Sequence, residues 1–401
     1  MKGRFFMAEQ EIKNTLQTPD FLVQERLETS VSELLFTQKF VYKVWQLDHP
    51  LIKGLNDSKI RKEYLLEELK KGQAMGAGDI YEGLILVLLP NEEGQNKVIT
   101  ELPIDFSEPF IKGERVAWAL KMKRFKPEQR MDFMLQNGLL EDIHVQDAAK
   151  KIIGCHQTLP HLNDDFGKLM TKDISEEAAS IADSAFSFEF MINLLNKEID
   201  PFKVTEIAKN NRFFLAEKKE EFSKAVLNGE IKKGHGDPKI LNINVGDGQV
   251  GEEGKSYILD AISFKLKDEV AYTLSCGTAL EDEWTINDLL SDLAYFSLYF
   301  DYLKPQKFST WFQIIDDVYQ QMTGNNSLQN NPRFWFYLNY RAMVQAKVAG
   351  IEAAKAREKG EINKALEKRA EAAEFISLAE KYLRQTFDLT GLNWQEMETE
   401  T

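Results

Sequence analysis

The segment His-Gly-Asp-Pro-Lys-Ile-Leu-Asn at residues 235–242 combines a carboxylate, an ammonium group and an amide. This set suits phosphoryl transfer. Asp237 can orient or deprotonate an acceptor hydroxyl, Lys239 can neutralise the moving phosphoryl group, and Asn242 can hold Mg²⁺. The loop must turn the aspartate toward the acceptor and the asparagine toward the metal, which fixes their spacing. We therefore interpret Asp237 and Lys239 as catalytic residues and Asn242 as a metal ligand.

A predicted hairpin follows this loop, and its spacing matches that of protein-kinase-like folds. The arms 240–245 and 256–262 are rich in β-branched and apolar residues, and the turn between them is rich in glycine. In such folds the strand after the catalytic loop delivers a second metal-binding aspartate. Asp260 ends an apolar run at that position. It is therefore predicted to be the second Mg²⁺ ligand, the alternative being a solvated strand end.

Two other phosphate-binding motifs overlap this turn. Residues 246–251 match G-x-G-x-x-G, and residues 248–256 resemble a P-loop with one residue too many. Both motifs must open a helix whose N-terminus holds phosphate. Here Glu252 and Glu253 would repel phosphate, and another strand follows. We interpret these glycines as turn residues.

The composition excludes several classes of protein. A chain of 401 residues with 43% hydrophobic residues is globular and long enough for two lobes. The net charge of −14 argues against a nucleic-acid partner or an anionic membrane surface. Cys155 and Cys276 stand far apart, which excludes a disulfide framework and suits a reducing cytoplasm. No apolar stretch reaches the ~18 residues of a membrane span.

The predicted elements indicate an α+β class with two lobes. Residues 1–27 form an N-terminal extension, and 28–125 a small nucleotide-binding lobe with a mixed β-sheet and one helix. Residues 126–401 form a larger, mainly α-helical lobe for catalysis and substrate. Strands are predicted at 31–37, 39–45, 81–89 and 115–122, and helices at 57–71, from Asn331-Pro332 onward and at 361–386.

The small lobe offers a nucleotide lysine and a partner for it. Lys43 lies in an apolar strand, where it can hold nucleotide phosphates or simply be an exposed residue of that face. A glutamate of the following helix would steer it. Both Glu67 and Glu68 qualify, and spacing from the helix start favours Glu67. The preceding loop carries Ser30 and Ser32, whose hydroxyls could cover phosphates without the glycines of a protein-kinase loop.

On these residues the chain resembles the aminoglycoside phosphotransferase-like kinases, which share the protein-kinase-like fold with choline kinases. It is similar in particular to a bacterial branch of that group. The match runs in order over about residues 28–350. The motifs that carry it are Glu28-Thr29-Ser30-Val31-Ser32, Val41-Tyr42-Lys43, Lys121-Met122-Lys123-Arg124, Asp292-Leu293-Ala294-Tyr295 and Arg341-Ala342-Met343-Val344-Gln345-Ala346-Lys347-Val348.

The resemblance implies phosphorylation of a small-molecule hydroxyl by ATP or GTP with Mg²⁺. An amine-bearing sugar or alcohol would suit the acidic chain. It also implies nucleotide contact at the hinge residue Met122 and bracing of the catalytic loop by His235. The alternative is a nucleotide-binding pseudokinase or scaffold on the same fold. Because Asp237, Asn242, Asp260 and Lys43 are all present, an active kinase is favoured.

The sequence departs from its relatives in places. Pro238-Lys239 replaces the usual Leu-His, and the segment 265–284 is longer than usual. Its acidic cluster at 281–283 could rim an acceptor site or be a solvated loop, and the loop is favoured. Asp288 is expected to face the acceptor site, and Asp292 is expected to cap or brace the catalytic loop. The histidines show no metal-ligand spacing and are interpreted as surface or core residues: His49, His144, His156 and His161.

Overall fold

The structure is a computed structural model that describes residues 22–28, 32–46, 54–89, 99–102, 115–158, 201–228, 230–233, 235–261 and 286–395. The chain divides into two compact units. The first contains the described residues up to Gln129 together with those from Val245 to Ala261. The second contains the residues from Arg130 to Asn244 and those from Ile286 onward. The glycine-rich hairpin therefore clusters with the first unit, whereas the sequence assigned all of 126–401 to the large lobe.

The first unit is built on a six-stranded antiparallel sheet with the order β1-β2-β3-β6-β4-β5. Its strands are β1 (Glu25–Glu28), β2 (Ser32–Phe36), β3 (Phe40–Trp45), β4 (Tyr81–Leu89), β5 (Thr100–Leu102) and β6 (Arg115–Lys123). Four of them lie where β-branched and apolar runs predicted strands. Strand β1 was not predicted, because its four residues are all exposed and lack a buried apolar alternation.

One face of this sheet carries an apolar core, which includes Leu35, Tyr42, Val44 and Val87. Helix α1 (Ser58–Gly72) follows β3. It begins where the side chain of Asp57 accepts a hydrogen bond from the amide of Lys59 at 2.8 Å, which satisfies one of the unpaired donors at the helix start. The buried side of α1 faces the sheet, so the helix presents a fixed set of residues to strand β3.

The second unit is mainly helical. Its helices are α2 (Met131–Asn137), α3 (Asp142–Thr158), α4 (Pro201–Glu217), α5 (Lys219–Leu227), α6 (Leu289–Leu303), α7 (Pro305–Thr323), α8 (Pro332–Glu358) and α9 (Ile362–Thr390). Strands β7 (Ile231–Lys233) and β10 (Ile286–Asp288) pair antiparallel. The short strands β8 (Ile243–Val245) and β9 (Ser256–Ile258) form the arms of the glycine-rich hairpin, which belongs to the first unit from Val245 onward.

Helix α6 lies at the centre of this unit and is buried on nearly every side. A helix that is apolar all round must be enclosed by other elements. Helices α8 and α9 form a long antiparallel hairpin, and both α7 and α8 pack against α6. Aromatic side chains join them, as where Tyr302 stacks on Phe375 with ring centroids 4.3 Å apart.

The predicted α+β class is confirmed: a small sheet with one helix accompanies a larger helical part. The sheet was predicted to be mixed, but all of its described strand pairs are antiparallel. The predicted strand at 240–245 is shorter than expected, because residues Ile240–Asn242 form a 3₁₀ turn. No helix among the described residues is both long and apolar enough to cross a membrane.

Candidate active site

In the first unit, Lys43 of β3 lies between two carboxylates. Its Nζ is 2.8 Å from Oε2 of Glu68 and is also hydrogen-bonded to Oδ1 of Asp260. Lys43 is 5% exposed and Glu68 is fully buried. A buried ammonium group needs such partners, because an unpaired charge in the interior is very costly. The structure therefore assembles the lysine, a helix carboxylate and the acid that follows the hairpin.

The expectation that Glu67 pairs with Lys43 is wrong. The side chain of Glu67 is 40% exposed, and its nearest cation is Lys71 at 3.9 Å. The phase of the helix explains the difference. Glu68 lies in line with the buried residues Leu65 and Gly72, three positions before and four after it, whereas Glu67 is rotated by about 100° toward solvent. The buried stripe of α1 identifies the partner, and distance from the helix start does not.

The two carboxylates control the charge state of Lys43. Burial by itself lowers the pKa of this lysine, but the charges and hydrogen bonds of Asp260 and Glu68 outweigh it, so that the net pKa is raised. Lys43 is therefore a cation at neutral pH. Burial raises the pKa of Glu68, and Lys43 opposes that change.

Asp260 has an unusual backbone. Its φ of 66° makes it the only residue other than glycine with a positive φ among the described residues. This left-handed region is uncommon for non-glycine residues, although aspartate and asparagine tolerate it best. Strained backbone of this kind concentrates at functional sites. The carboxylate is half exposed, so one side of it is accessible while the other contacts Lys43.

The glycines before Asp260 are structural, as predicted from their context. The amide of Gly246 donates to the carbonyl of Lys255 at 2.8 Å and closes the turn. Gly251 has a φ of 73°, and a side chain there would lie 2.4 Å from the ring of Tyr257. The turn acid Asp247 accepts from two backbone amides and binds Lys126 at 2.9 Å. These contacts fix a hairpin in place of a phosphate-binding helix start.

In the second unit, the predicted catalytic residues contact one another. Oδ2 of Asp237 lies 2.9 Å from Nζ of Lys239. Nδ2 of Asn242 donates to the same oxygen and to the carbonyl oxygen of Asp237, both at 2.9 Å. The amide of Asp237 in turn lies 3.2 Å from Nδ1 of His235, a hydrogen bond within the loop. Gly236 permits the turn with a φ of 83°.

Asp292 of α6 holds this loop by its backbone. Its carboxylate accepts from the amide of His235 at 3.1 Å and from the amide of Gly236 at 3.2 Å. Nε2 of His156, on α3, lies 2.9 Å from Oδ2, and the guanidinium of Arg341, on α8, lies 3.8 Å from Oδ1. Burial tends to raise the pKa of Asp292, but the hydrogen bond with His156 and the nearby positive charges hold it below its ordinary value. Asp292 is therefore an anion that fixes the loop.

Sequence reasoning missed the contact of His156 with Asp292. His156 lies on the buried face of α3, four residues after Ile152 and three after Ile153, and is 3% exposed. A histidine at the spacing of a buried apolar stripe faces the interior and needs a polar partner there. The spacing of His156 from Ile152 and Ile153 is therefore the sequence feature that could have predicted this contact.

Asp288 does not face an acceptor site as expected. It caps α6 by accepting from the amide of Leu290 at 2.9 Å, pairs with Arg333 and is 3% exposed. Its position one residue before the helix explains this role. Ser32 is buried at the start of β2, and Met122 lies buried in β6 opposite Val41. Ser30, His49, His161 and the segment 265–284 lie outside the described residues.

The chain matches known proteins by structure and not by sequence. No protein-family profile and no curated protein matches the chain. A candidate aminoglycoside phosphotransferase from Ralstonia eutropha JMP134 is 13% identical over 94% of this chain and 97% of that chain, with a TM-score of 0.44. The GDP complex of aminoglycoside 2′-phosphotransferase-IIIa is 10% identical over 95% and 99%, with a TM-score of 0.39. A choline kinase from Cryptosporidium parvum Iowa II is 9% identical over 96% and 95%, with a TM-score of 0.41.

In structure, the chain is similar to these phosphotransferases and this choline kinase. Similarity at this level does not transfer a substrate or a catalytic residue. The function of this chain therefore depends on what its own side chains can do.

The oxygen ligands present suit Mg²⁺. Mg²⁺ is usually bound through one or two carboxylates together with substrate phosphates and water. In the first unit, Asp260 offers a half-exposed carboxylate. In the second, the amide nitrogen of Asn242 bonds to Asp237, which leaves its amide oxygen for a metal. No group of three or more histidine, cysteine, aspartate or glutamate side chains among the described residues could hold a metal by itself.

Proposed function

We propose that this protein is a phosphotransferase that moves the γ-phosphoryl group of ATP or GTP to the hydroxyl of a small molecule. The observation that carries the proposal is the contact set of Asp237 with Lys239 and Asn242, all at 2.9 Å, on a loop anchored by Asp292. A base, a cation and an amide oxygen on one rigid loop are the groups that phosphoryl transfer requires.

Each residue has a proposed role. Asp237 orients the acceptor hydroxyl and takes its proton, and Lys239 neutralises charge on the transferring group. Lys43, kept cationic by Glu68, holds the nucleotide phosphates. The sequence motifs assign the two Mg²⁺ ligands to Asn242 and Asp260, and Mg²⁺ would supply charge stabilisation when it is bound.

Further residues belong to the proposed nucleotide site through the sequence motifs: Ser30, Ser32 and Met122. The amine-bearing character of the acceptor rests on the net charge of −14 and stays a proposal. Localisation in the cytoplasm likewise rests on composition.

The first experiment is a thermal-shift titration with Mg²⁺-ATP and Mg²⁺-GTP, comparing the wild type with Asp260→Asn. Asparagine tolerates the left-handed backbone of residue 260, so the variant removes the charge with little added strain. Glu253→Gln, which neutralises an exposed acid of the same hairpin, is the matched control. Nucleotide at 100 times its Kd should add about 2.7 kcal/mol of stability to the wild type and the control, and less to Asp260→Asn.

Turnover separates a kinase from a pseudokinase. We expect phosphate transfer or release from Mg²⁺-ATP in a screen of amino sugars and amino alcohols, and a loss of about 10²–10⁴-fold in Asp237→Asn. That variant should still bind Mg²⁺-ATP. Binding without turnover in the wild type would favour the nucleotide-binding scaffold, and no stabilisation by either nucleotide would contradict both functions.

A further inference from the structure

Tyr81 places a buried hydroxyl beside the cluster of Lys43, Glu68 and Asp260. It is the first residue of β4 and is 4% exposed. The strand has a β-bulge between Tyr81 and Gly83, and Gly83 has a φ of 137°. The first unit contains all of these residues.

A glycine of helix α1 allows the ring of Tyr81 to pack closely against that helix. A methyl group on Gly72 would lie 2.2 Å from Cε2 and 2.8 Å from Cζ of Tyr81, so only glycine allows this approach. Gly72 lies one helical turn after Glu68 on the same buried face of α1. The contact therefore fixes the phenol relative to the glutamate that pairs with Lys43.

Two polar atoms in this cluster lack a partner. Within the described part of the chain, neither the hydroxyl of Tyr81 nor Oε1 of Glu68 makes a hydrogen bond, and both are buried. Burial, followed by the charges of Glu68 and Asp260, raises the pKa of Tyr81, and the backbone amide of Asp260 acts in the opposite direction. The phenol thus lies close to an unpaired acceptor, Glu68, and to a backbone donor, Asp260.

We propose that Tyr81 is a positioning residue for the nucleotide site, in which its hydroxyl donates to Oε1 of Glu68 and accepts from the backbone amide of Asp260. The inference rests on the proposed function and deepens it. A phenol hydroxyl is one donor and an acceptor, so it can satisfy both groups at once. It would connect the helix carboxylate that holds Lys43 to the strained backbone that presents Asp260.

The hydroxyl has no hydrogen bond within the described residues and would gain two by this proposal, so its removal should have two separate effects. Its removal should leave the stability of the free protein unchanged or raise it, because an unsatisfied polar group is costly to bury. The same removal should weaken Mg²⁺-ATP binding by about 3- to 10-fold, the range expected for one hydrogen bond. If Tyr81 acts only by packing its ring, which phenylalanine preserves, both stability and Mg²⁺-ATP affinity should stay close to wild type.

The test compares Tyr81→Phe with wild type by thermal unfolding without ligand and by calorimetric titration of Mg²⁺-ATP, repeated with ATP in EDTA. We expect an equal or higher Tm, weaker Mg²⁺-ATP binding and little change for metal-free ATP. Tyr42→Phe is the matched control. Its hydroxyl, in the same sheet, donates to Glu101 at 2.9 Å, so this variant should lose stability and keep its affinity.

The outcomes separate this inference from the proposed function. Wild-type protein that binds no Mg²⁺-nucleotide overturns both. Wild type and Tyr81→Phe with equal Mg²⁺-ATP affinity overturn the role of Tyr81 alone, whatever the change in Tm.

Discussion

His156 and Asp292 form a buried hydrogen bond of 2.9 Å between Nε2 and Oδ2, linking α3 to α6. The same carboxylate accepts from the backbone of the catalytic loop at His235 and Gly236. One side chain thus connects two helices to the loop that presents Asp237. Asp292 anchors this loop through its backbone and has no role in the proposed chemistry itself.

Replacement of Asp292 by alanine should strongly destabilise the second unit. It leaves Arg341, which is 2% exposed, and two loop amides without their carboxylate. Breaking a buried charge pair from one side costs about 3–5 kcal/mol. Urea unfolding measures the loss, with Asp388→Ala at an exposed position of α9 as the control, expected within about 0.5 kcal/mol of wild type. A loss below about 1 kcal/mol in Asp292→Ala would contradict the anchoring role.

The same residue predicts a pH dependence. The pKa of Asp292 is held below its ordinary value of 3.8 in the folded protein. Its contribution to stability is therefore present above that value and is lost as the pH falls through the folded pKa. Asp292→Asn cannot take up this proton. Between about pH 5 and pH 3, its free energy of unfolding should fall less steeply than that of wild type, by up to about 1.4 kcal/mol per pH unit.

Urea unfolding across this pH range checks the difference in slope. Asp388→Asn, exposed on α9, should follow the wild-type slope. Parallel curves for wild type and Asp292→Asn would show that Asp292 titrates alike in the folded and unfolded chain.

The neighbours Glu67 and Glu68 offer a matched comparison for the nucleotide site. Glu68→Ala leaves the buried Lys43 with one carboxylate in place of two, so it should destabilise the first unit by about 3–5 kcal/mol and weaken nucleotide binding. Glu67→Ala removes a 40% exposed side chain and should change stability by less than about 0.5 kcal/mol. Thermal unfolding with and without Mg²⁺-ATP measures both. Equal effects of the two substitutions would remove Glu68 from the site.

The features predicted correctly from the sequence are those that a local residue pattern determines. The strands β3 and β4 follow from their apolar runs, the helix α1 from its spacing of leucine and charged residues, and the loop 235–242 from its motif. Local pattern cannot show which side chains meet across the fold. The pairing of Lys43 with Glu68, and of Asp292 with His156, depends on the phase of buried helix faces against elements distant in the chain. For the same reason, exposed strand β1 was missed, because its only signal is the partner strand beside it.

A polar network lies beside Lys239, and a substitution within it should affect both stability and catalysis. Oε1 of Gln345 accepts from the hydroxyl of Tyr299 at 2.6 Å, and its Nε2 bonds to the hydroxyl of Tyr295. The ring of Tyr295 lies 4.6 Å from the guanidinium of Arg341 and 6.0 Å from Nζ of Lys239. The orientation of this ring therefore sets part of the surroundings of the catalytic lysine.

Gln345→Leu removes both hydrogen bonds from this buried network. Leaving a buried hydroxyl unpaired costs about 1–3 kcal/mol, so the variant should lose at least that much free energy of unfolding. Because Tyr295 is then held less firmly beside Lys239, kcat should fall while the affinity for Mg²⁺-ATP stays close to wild type. Urea unfolding and steady-state kinetics measure the two effects, with Gln313→Leu on an exposed face of α7 as the control. A stability loss with unchanged kcat would mean that the network supports the fold and leaves Lys239 unaffected.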